Sequence, residues 1–151
     1  MPFKITSADF SEGETIPKKF TCEGSDVSPE LSWSGLPDGT KGLALICEDP
    51  DAPMGTFIHW VVYDIPAGTT TFERGIKLAG GIRTGTTGFG KTGYGGPCPP
   101  KGHGTHRYFF ILRALNTETL GLPQGAAKTE VEKAMKGKVL GETKIMGTYK
   151  R

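Results

Sequence analysis

The sequence has few cysteines, little net charge and no long apolar run. Its 151 residues include three cysteines, and no CxxC pair or cysteine–histidine spacing typical of a zinc site occurs. A disulfide scaffold usually needs more cysteines, so we expect free thiols. The net charge of +2 is too small to indicate a nucleic-acid binder or a polybasic membrane binder. No stretch approaches the roughly 20 apolar residues of a membrane-spanning helix.

The N-terminal residues also lack the apolar segment of a secretory signal peptide. Together with the expected free thiols, this predicts a cytoplasmic protein. The length fits one domain, at roughly 100–200 residues per domain, and neither a repeat nor a linker is visible. We therefore expect residues 1–151 to form a single domain.

Glycine and proline are abundant, with 23 and 11 residues respectively. This composition disfavours long helices and favours a turn-rich, mainly β chain. Three segments rich in β-branched and aromatic residues are predicted strands, namely Gly42–Glu48, Phe57–Asp64 and His106–Leu115. Phe57–Asp64 is apolar on both faces, with Phe57, Val61 and Tyr63 on one and Ile58, Trp60 and Val62 on the other, so we expect it to be central and covered on both sides. Shorter candidate strands are Phe3–Ser7, Leu31–Trp33 and Lys144–Tyr149.

One helix is predicted at Ala126–Lys136. Thr129 and Glu132 have the spacing of a capping box, and Val131 and Met135 form an apolar pair four residues apart. An earlier start of the helix would remove the box but keep the helix. Strands that precede a late helix favour an antiparallel β-sandwich, with a large central sheet, a smaller sheet and one or two short peripheral helices, over alternating βαβ units.

Residues 75–104 form a long loop with 11 glycines and 3 prolines. Loops of this length in compact domains are usually functional or disordered, and Phe89, Tyr94 and the prolines favour an ordered, functional one. Residues 85–92 match the Walker A pattern, and residues 88–93 match GxGxxG. Both motifs need a following helix, which the glycines and prolines of residues 93–102 disfavour, so we do not predict nucleotide binding.

Polar residues lie near the predicted strand ends. Asp49 follows the first long strand, and His59 lies inside the second. His106 and Tyr108 share one face at the start of the third. An antiparallel sheet can bring these positions together into a pocket for an anion. There His59, His106 and Tyr108 could donate hydrogen bonds, and Asp49 could fix an imidazole tautomer or accept from a protonated ligand oxygen or an ammonium group.

Each of these residues also has an explanation that involves no ligand. Asp49 and Asp51 stand in Asp-Pro and Asp-Ala-Pro sequences that are typical of turns. His59 could be a core histidine satisfied by backbone groups, and Tyr108 is an ordinary β-core aromatic. Cys98, between two prolines, could be an inert thiol. His103, between two glycines, is expected to be an exposed turn residue.

Taken together, however, these segments resemble a known family. Asp-Pro-Asp-Ala-Pro at 49–53, His-Trp-Val-Val at 59–62 and Gly-Pro-x-Pro-Pro-x-Gly-x-Gly-x-His-Arg-Tyr at 96–108 are similar to the signature regions of the phosphatidylethanolamine-binding proteins, also called the Raf kinase inhibitor protein family. The sequence is most similar to the compact bacterial and archaeal branch. The resemblance covers nearly the whole chain.

The resemblance implies a small anion pocket for phosphate or a phospholipid head group. By position, Asp49, His59, His106 and Tyr108 match the residues that line that pocket. Its rim and support are then assigned to Asp51, Pro53, Cys98 and Pro99. Cys98 replaces a glycine of the eukaryotic members whose N–H helps to bind the anion. A positive φ would be costly for cysteine, so this loop is expected to differ.

The resemblance favours a non-catalytic binding protein without cofactor or metal. The alternative is a protein-interaction module, such as a serine protease inhibitor or a signalling protein, with a protease or kinase as its partner. An enzyme is disfavoured, whether it would use a Cys98–His106 thiolate pair or a metal held by Asp49, His59 and His106. A homodimer is compatible with the sequence, although no feature identifies an interface.

Overall fold

The computed structural model describes residues 2–151 and contains two antiparallel sheets. The larger sheet has the strand order β6-β4-β3-β7-β8, and the smaller one has the order β1-β2-β5. The strands are β1 Lys4–Thr6, β2 Leu31–Ser34, β3 Gly42–Asp49, β4 Phe57–Pro66, β5 Thr71–Phe72, β6 Arg83–Thr84, β7 His106–Leu115 and β8 Val139–Tyr149. One helix, α1 Lys128–Met135, and a short 3₁₀ turn, Lys18–Phe20, complete the fold. The predicted mainly β sandwich is confirmed.

The three long predicted strands are present with nearly their predicted bounds. β7 has the predicted bounds, whereas β3 and β4 extend slightly further. β8 begins at Val139, before its predicted start at Lys144. Its first residues lie at the edge of the sheet, where Val139 and Leu140 are exposed, so the alternation that marks a half-buried strand is missing there.

Apolar side chains cover the large sheet on both faces. One core lies between the two sheets and includes Trp33, Trp60 and Phe110. The second core lies against α1 and includes Val61 and Val131. β4 contributes to both cores, which confirms that it is covered on both sides, but the middle strand of the sheet is β3, and β4 lies between β3 and the two-residue β6.

α1 starts later than predicted, and the expected capping box is wrong. Ala127, the residue before the helix, is extended, and its N–H donates to the Glu130 carboxylate over 3.2 Å. The backbone N–H of the buried Ala126 lies 3.3 Å from the Tyr63 hydroxyl, which ties this segment to the sheet before the helix begins. Val131 and Met135 are buried as the spacing predicts.

The glycine-rich loop runs along β4. Backbone N–H groups of Gly85, Gly88 and Gly95 donate to carbonyl groups of β4 over 2.8–2.9 Å. Between them, the Thr87 N–H donates to the Lys91 carbonyl and closes a turn within the Walker A pattern, and residues 93–102, where that motif needs a helix, are not helical. The loop is therefore ordered by the strand beside it.

Cys22 and Cys98 form a disulfide, so the expectation of three free thiols is wrong for these two residues. Their Cα atoms are 5.4 Å apart although 76 positions separate them in sequence. The Cys22 N–H donates to the Pro97 carbonyl over 3.1 Å, which brings the two loops together. Cys47 alone stays a free thiol, and it is buried. With its sulfur in a disulfide, Cys98 cannot act as the thiolate of a Cys98–His106 pair.

Candidate functional site

A cavity of about 310 Å³ lies at the end of the large sheet where β3 ends and β4 and β7 begin. Asp49, His59, His106 and Tyr108, the four residues predicted to form a pocket, all line it. Its rim is mainly apolar and consists of Ala52, Pro53, Met54, Gly55, Thr56, Phe57, Phe89, Cys98, Pro99 and Pro100. The structure thus brings together every predicted site residue except Asp51, which lies behind the rim.

A β-bulge turns His59 toward this cavity. In the pairing of β3 with β4, Cys47 is opposite Trp60 and Glu48 is opposite Ile58, so His59 is an extra residue without a partner. The bulge breaks the period of two, and the predicted common face of Phe57 with Val61 and Tyr63 is therefore wrong. Phe57 lines the cavity with His59, whereas Val61, Tyr63 and the partly buried Ile58 pack against the core around α1.

Three side chains form a hydrogen-bonded chain from the buried sheet to the surface. Asp49 and His106 are each 2% exposed, and Asp49 Oδ2 lies 2.6 Å from His106 Nδ1. Asp49 Oδ1 accepts the N–H of Asp51 over 2.7 Å. His106 Nε2 in turn lies 2.6 Å from Nδ1 of His103. Asp49 therefore orients an imidazole, as predicted, and that imidazole is His106.

His103 is exposed, as the sequence predicted, but its contact with His106 was missed. The available signal was a second histidine only three residues before the start of β7. Since His103 occupies Nε2 of His106, His106 is not free to donate to a ligand, contrary to the prediction. The side-chain polar groups left for a ligand are those of the buried His59 and Tyr108 and the hydroxyl of the exposed Thr56.

His59 is bonded on one side only. Its Nδ1 lies 2.8 Å from the carbonyl oxygen of Gly95, and among residues 2–151 no hydrogen bond reaches Nε2. The ring packs near Phe57, Phe89 and Tyr108, with centroid distances of 5.0, 5.4 and 5.2 Å. Burial lowers the pKa of His59 below its usual value of 6.5, which favours the neutral ring.

The hydroxyl of Tyr108 is buried and has no hydrogen-bond partner in the part of the chain that the structure describes. Burial, and then the nearby Asp49 carboxylate, raise the pKa of this phenol far above its usual value. Tyr108 is therefore a neutral group that can donate. A buried hydroxyl without a partner costs about 1–3 kcal/mol.

Asp51 supports the rim from outside the cavity. Its carboxylate accepts two hydrogen bonds from the Arg107 guanidinium and one from the Arg107 N–H, each over 2.9 Å. Arg107 lowers the pKa of Asp51 through these bonds. The ion pair joins the loop after β3 to the start of β7. Because it binds the Arg107 guanidinium to Asp51, this charge lies outside the cavity.

The opposite rim is held by the disulfide and by the C-terminal residue. Arg151 Nε donates to the Pro99 carbonyl over 2.7 Å, next to Cys98. Among residues 2–151, Asp26 and Asp64 are the only non-glycine residues with positive φ. Cys98 therefore avoids the strain that replacement of a left-handed glycine would cause.

Known proteins of similar sequence bear out the resemblance. The family model described as phosphatidylethanolamine-binding protein matches residues 6–150. A UPF0098 protein of Aquifex aeolicus is 52% identical over 98% of this chain and 88% of its own length. A UPF0098 protein of Pyrococcus horikoshii is 46% identical over 100% of this chain and 78% of its own length.

Solved structures of similar fold agree with this family resemblance. E. coli YbcL, described as a new member of the mammalian PEBP family, superposes with a TM-score of 0.93 at 34% identity, covering 100% of this chain and 99% of its own. A carboxypeptidase Y inhibitor, solved in complex with its cognate proteinase, shares the fold alone, with a TM-score of 0.63 at 16% identity, covering 98% of this chain and 83% of its own. Within residues 2–151, no helix has the length and apolar character needed to cross a membrane. The chain belongs to the phosphatidylethanolamine-binding protein family, in its UPF0098/YbcL-like bacterial and archaeal branch.

Proposed function

We propose that the cavity binds the phosphoryl group of a small organic phosphate and does not convert it chemically. The unpartnered hydroxyl of Tyr108 carries this proposal. Burying a polar group without a partner is costly, so such groups are rare in folded proteins and mark places where a partner is supplied from outside. A phosphoryl oxygen is a strong acceptor for a neutral phenol.

The rest of the cavity suits a ligand with one polar and one apolar end. Phe57, Phe89 and Pro53 present apolar surface beside His59 and Tyr108. Concave sites that combine a few polar groups with apolar walls are typical of small-molecule binding. An organic substituent on the phosphate would lie against these rings. The description of YbcL as a PEBP relative also supports a ligand of this class.

A protein-interaction role is the second candidate, and one observation favours it. Met54 is 99% exposed and Phe89 is 42% exposed, and both line the cavity. With the exposed Pro53 and Pro100, which line the same cavity, they form an apolar patch, and such patches often mark contact surfaces. Inhibition of a serine protease by the wild type, with undiminished inhibition by His59→Ala, would favour this role over ligand binding.

Titration calorimetry with phenyl phosphate, in a buffer free of phosphate, tests the main proposal. Tyr108→Phe removes only the orphan hydroxyl and is expected to weaken binding at least about tenfold, since a hydrogen bond to a charged group contributes about 1.5–3 kcal/mol. Tyr63→Phe is the matched control, because the Tyr63 hydroxyl accepts from Ala126 in the opposite core. Equal affinities of Tyr108→Phe and the wild type would contradict the proposal.

The cytoplasmic location stays a prediction. The Cys22–Cys98 disulfide does not favour it, because such bonds are typical of oxidising compartments. Fractionation of cells with an antibody against the chain would decide the location.

A further inference from the structure

We infer that the cavity discriminates by protonation: it prefers phosphate monoesters that still carry one acidic proton over sulfate esters of equal charge, because His59 offers the ligand an acceptor. This inference rests on the proposed function and names the chemical form of the ligand. The hydrogen bonds of His59 and the charges around its ring support it.

The backbone carbonyl of Gly95 fixes the tautomer of His59. A carbonyl oxygen can only accept, so the Nδ1 atom at 2.8 Å from it must carry the proton. In the neutral ring, Nε2 then has a lone pair and no hydrogen. The bulge turns this ring toward the cavity, so a ligand meets an acceptor at Nε2 and a donor at Tyr108.

The charges that face His59 reinforce this arrangement. Asp49 on β3 and Asp26 in the loop before β2 are the carboxylates that act on the ring, and Tyr108 and the Asp49-bound His106 face it from β7. Among residues 2–151, neither a lysine nor an arginine lines the cavity, although Lys91 Nζ lies 5.9 Å from the centroid of the Phe89 ring at the rim. A dianion would meet a buried carboxylate and no fixed cation there, whereas burial opposes protonation of His59 itself.

A phosphate monoester monoanion resolves this conflict because it brings its own proton. Its P–OH can donate to Nε2 of His59, while another oxygen accepts from the Tyr108 hydroxyl. The second pKa of such monoesters is about 6, so the monoanion predominates below that pH. A sulfate monoester is a monoanion without any O–H, and it would place an oxygen lone pair against the lone pair of Nε2.

Phenyl phosphate and phenyl sulfate are matched probes for this inference. At about pH 5.5 most of each is a monoanion with the same substituent, and the two then differ in one O–H group. Titration calorimetry is expected to give at least about tenfold tighter binding of phenyl phosphate, the size of one hydrogen bond near a charge. Raising the pH to about 8 removes the ligand proton and is expected to weaken phenyl phosphate binding at least tenfold.

His59→Gln tests whether the Nε2 acceptor of His59 causes the preference for phenyl phosphate over phenyl sulfate. A glutamine amide has both an N–H and a carbonyl, so the variant can donate to sulfate, and the preference for phenyl phosphate is expected to fall toward one. Tyr108→Phe is the control, since it should weaken both probes equally and keep their ratio. The unfolding midpoint of the His59→Gln protein verifies that this variant is folded.

The outcomes distinguish the two proposals. If neither probe binds, the proposed function is wrong. If both bind equally at about pH 5.5 and both weaken in Tyr108→Phe, the cavity binds anions but the discrimination is refuted. The discrimination by His59 is also refuted if His59→Gln retains the wild-type preference, because the selectivity would then come from another group.

Discussion

Removing the Tyr108 hydroxyl should leave the protein at least as stable as before, although the residue is almost completely buried. The oxygen has no partner among residues 2–151, so its desolvation cost of about 1–3 kcal/mol is not compensated. Tyr108→Phe removes that cost and leaves the ring, which packs against His59 and in the core between the sheets. We expect the free energy of unfolding to stay equal or to rise by up to about 1 kcal/mol.

Tyr63→Phe shows what a bonded phenol contributes at comparable burial. Its hydroxyl donates to the Pro123 carbonyl and accepts from the Ala126 N–H. Removing it leaves the N–H of the buried Ala126 without a partner and breaks the bond to the carbonyl of the exposed Pro123, so the variant is expected to lose about 1–3 kcal/mol. The expected difference in the free energy of unfolding between Tyr108→Phe and Tyr63→Phe is larger than the error of a urea titration.

Equilibrium unfolding in urea, followed by tryptophan fluorescence, measures both variants. The buffer must contain no phosphate, because a bound anion stabilises the native state by mass action. A loss of more than about 1 kcal/mol in Tyr108→Phe would refute the reasoning. The hydroxyl would then have an internal partner, for which Asp49 is the nearest candidate, and the main support for ligand binding would be removed.

Three other perturbations test the surroundings of the site. Reduction of the Cys22–Cys98 disulfide is expected to lower the free energy of unfolding by about 2–5 kcal/mol, and an unchanged unfolding midpoint in dithiothreitol would contradict this. Because folding lowers the pKa of His59, the unfolded chain binds more protons than the folded protein just below pH 6.5, so the His59 contribution to stability falls as the pH drops through this range. His59→Gln should therefore flatten this part of the plot of unfolding free energy against pH. An identical slope in the variant would contradict the lowered pKa of His59. In Gly95→Ala, the new Cβ would clash with the Phe89 ring, which is half-exposed and can swing outward. Calorimetry should show weaker binding of phenyl phosphate but unchanged binding of inorganic phosphate. Equal losses of affinity for both would contradict a contact between Phe89 and the phenyl group of the ligand.

Local patterns predicted the strands wherever one face is buried along the whole strand. From His106 to Ala114, β7 alternates between buried residues and residues that are exposed or partly exposed, and its predicted bounds agree with the structure. The first half of β8 gave no such pattern, because Val139 and Leu140 lie exposed at the edge. There, pairing with β7 rather than the local sequence decides that a strand forms.

The disulfide and the bulge could not be predicted from local patterns. Cys22 and Cys98 are 76 positions apart, and their contact depends on how two irregular loops pack. Counting cysteines gives only the number of thiols and carries no information on distance. Likewise, one extra residue at His59 shifts the register of β4 against β3, and no turn or glycine signals that shift in the sequence.

The meeting of the site residues, by contrast, follows from antiparallel pairing once the three long strands are recognised. β3 lies between β4 and β7, so its last residue, Asp49, is brought beside the first residues of both neighbours. Position alone does not say which atoms donate. The Gly95 carbonyl fixes the proton of His59, and His103 occupies the nitrogen of His106 that the sequence had left for a ligand. Gly95 and His103 both lie in the glycine-rich loop, and the path of this loop is decided by the large sheet. The sequence could therefore locate a polar pocket, but it could not determine that His59 accepts a hydrogen bond there rather than donates one.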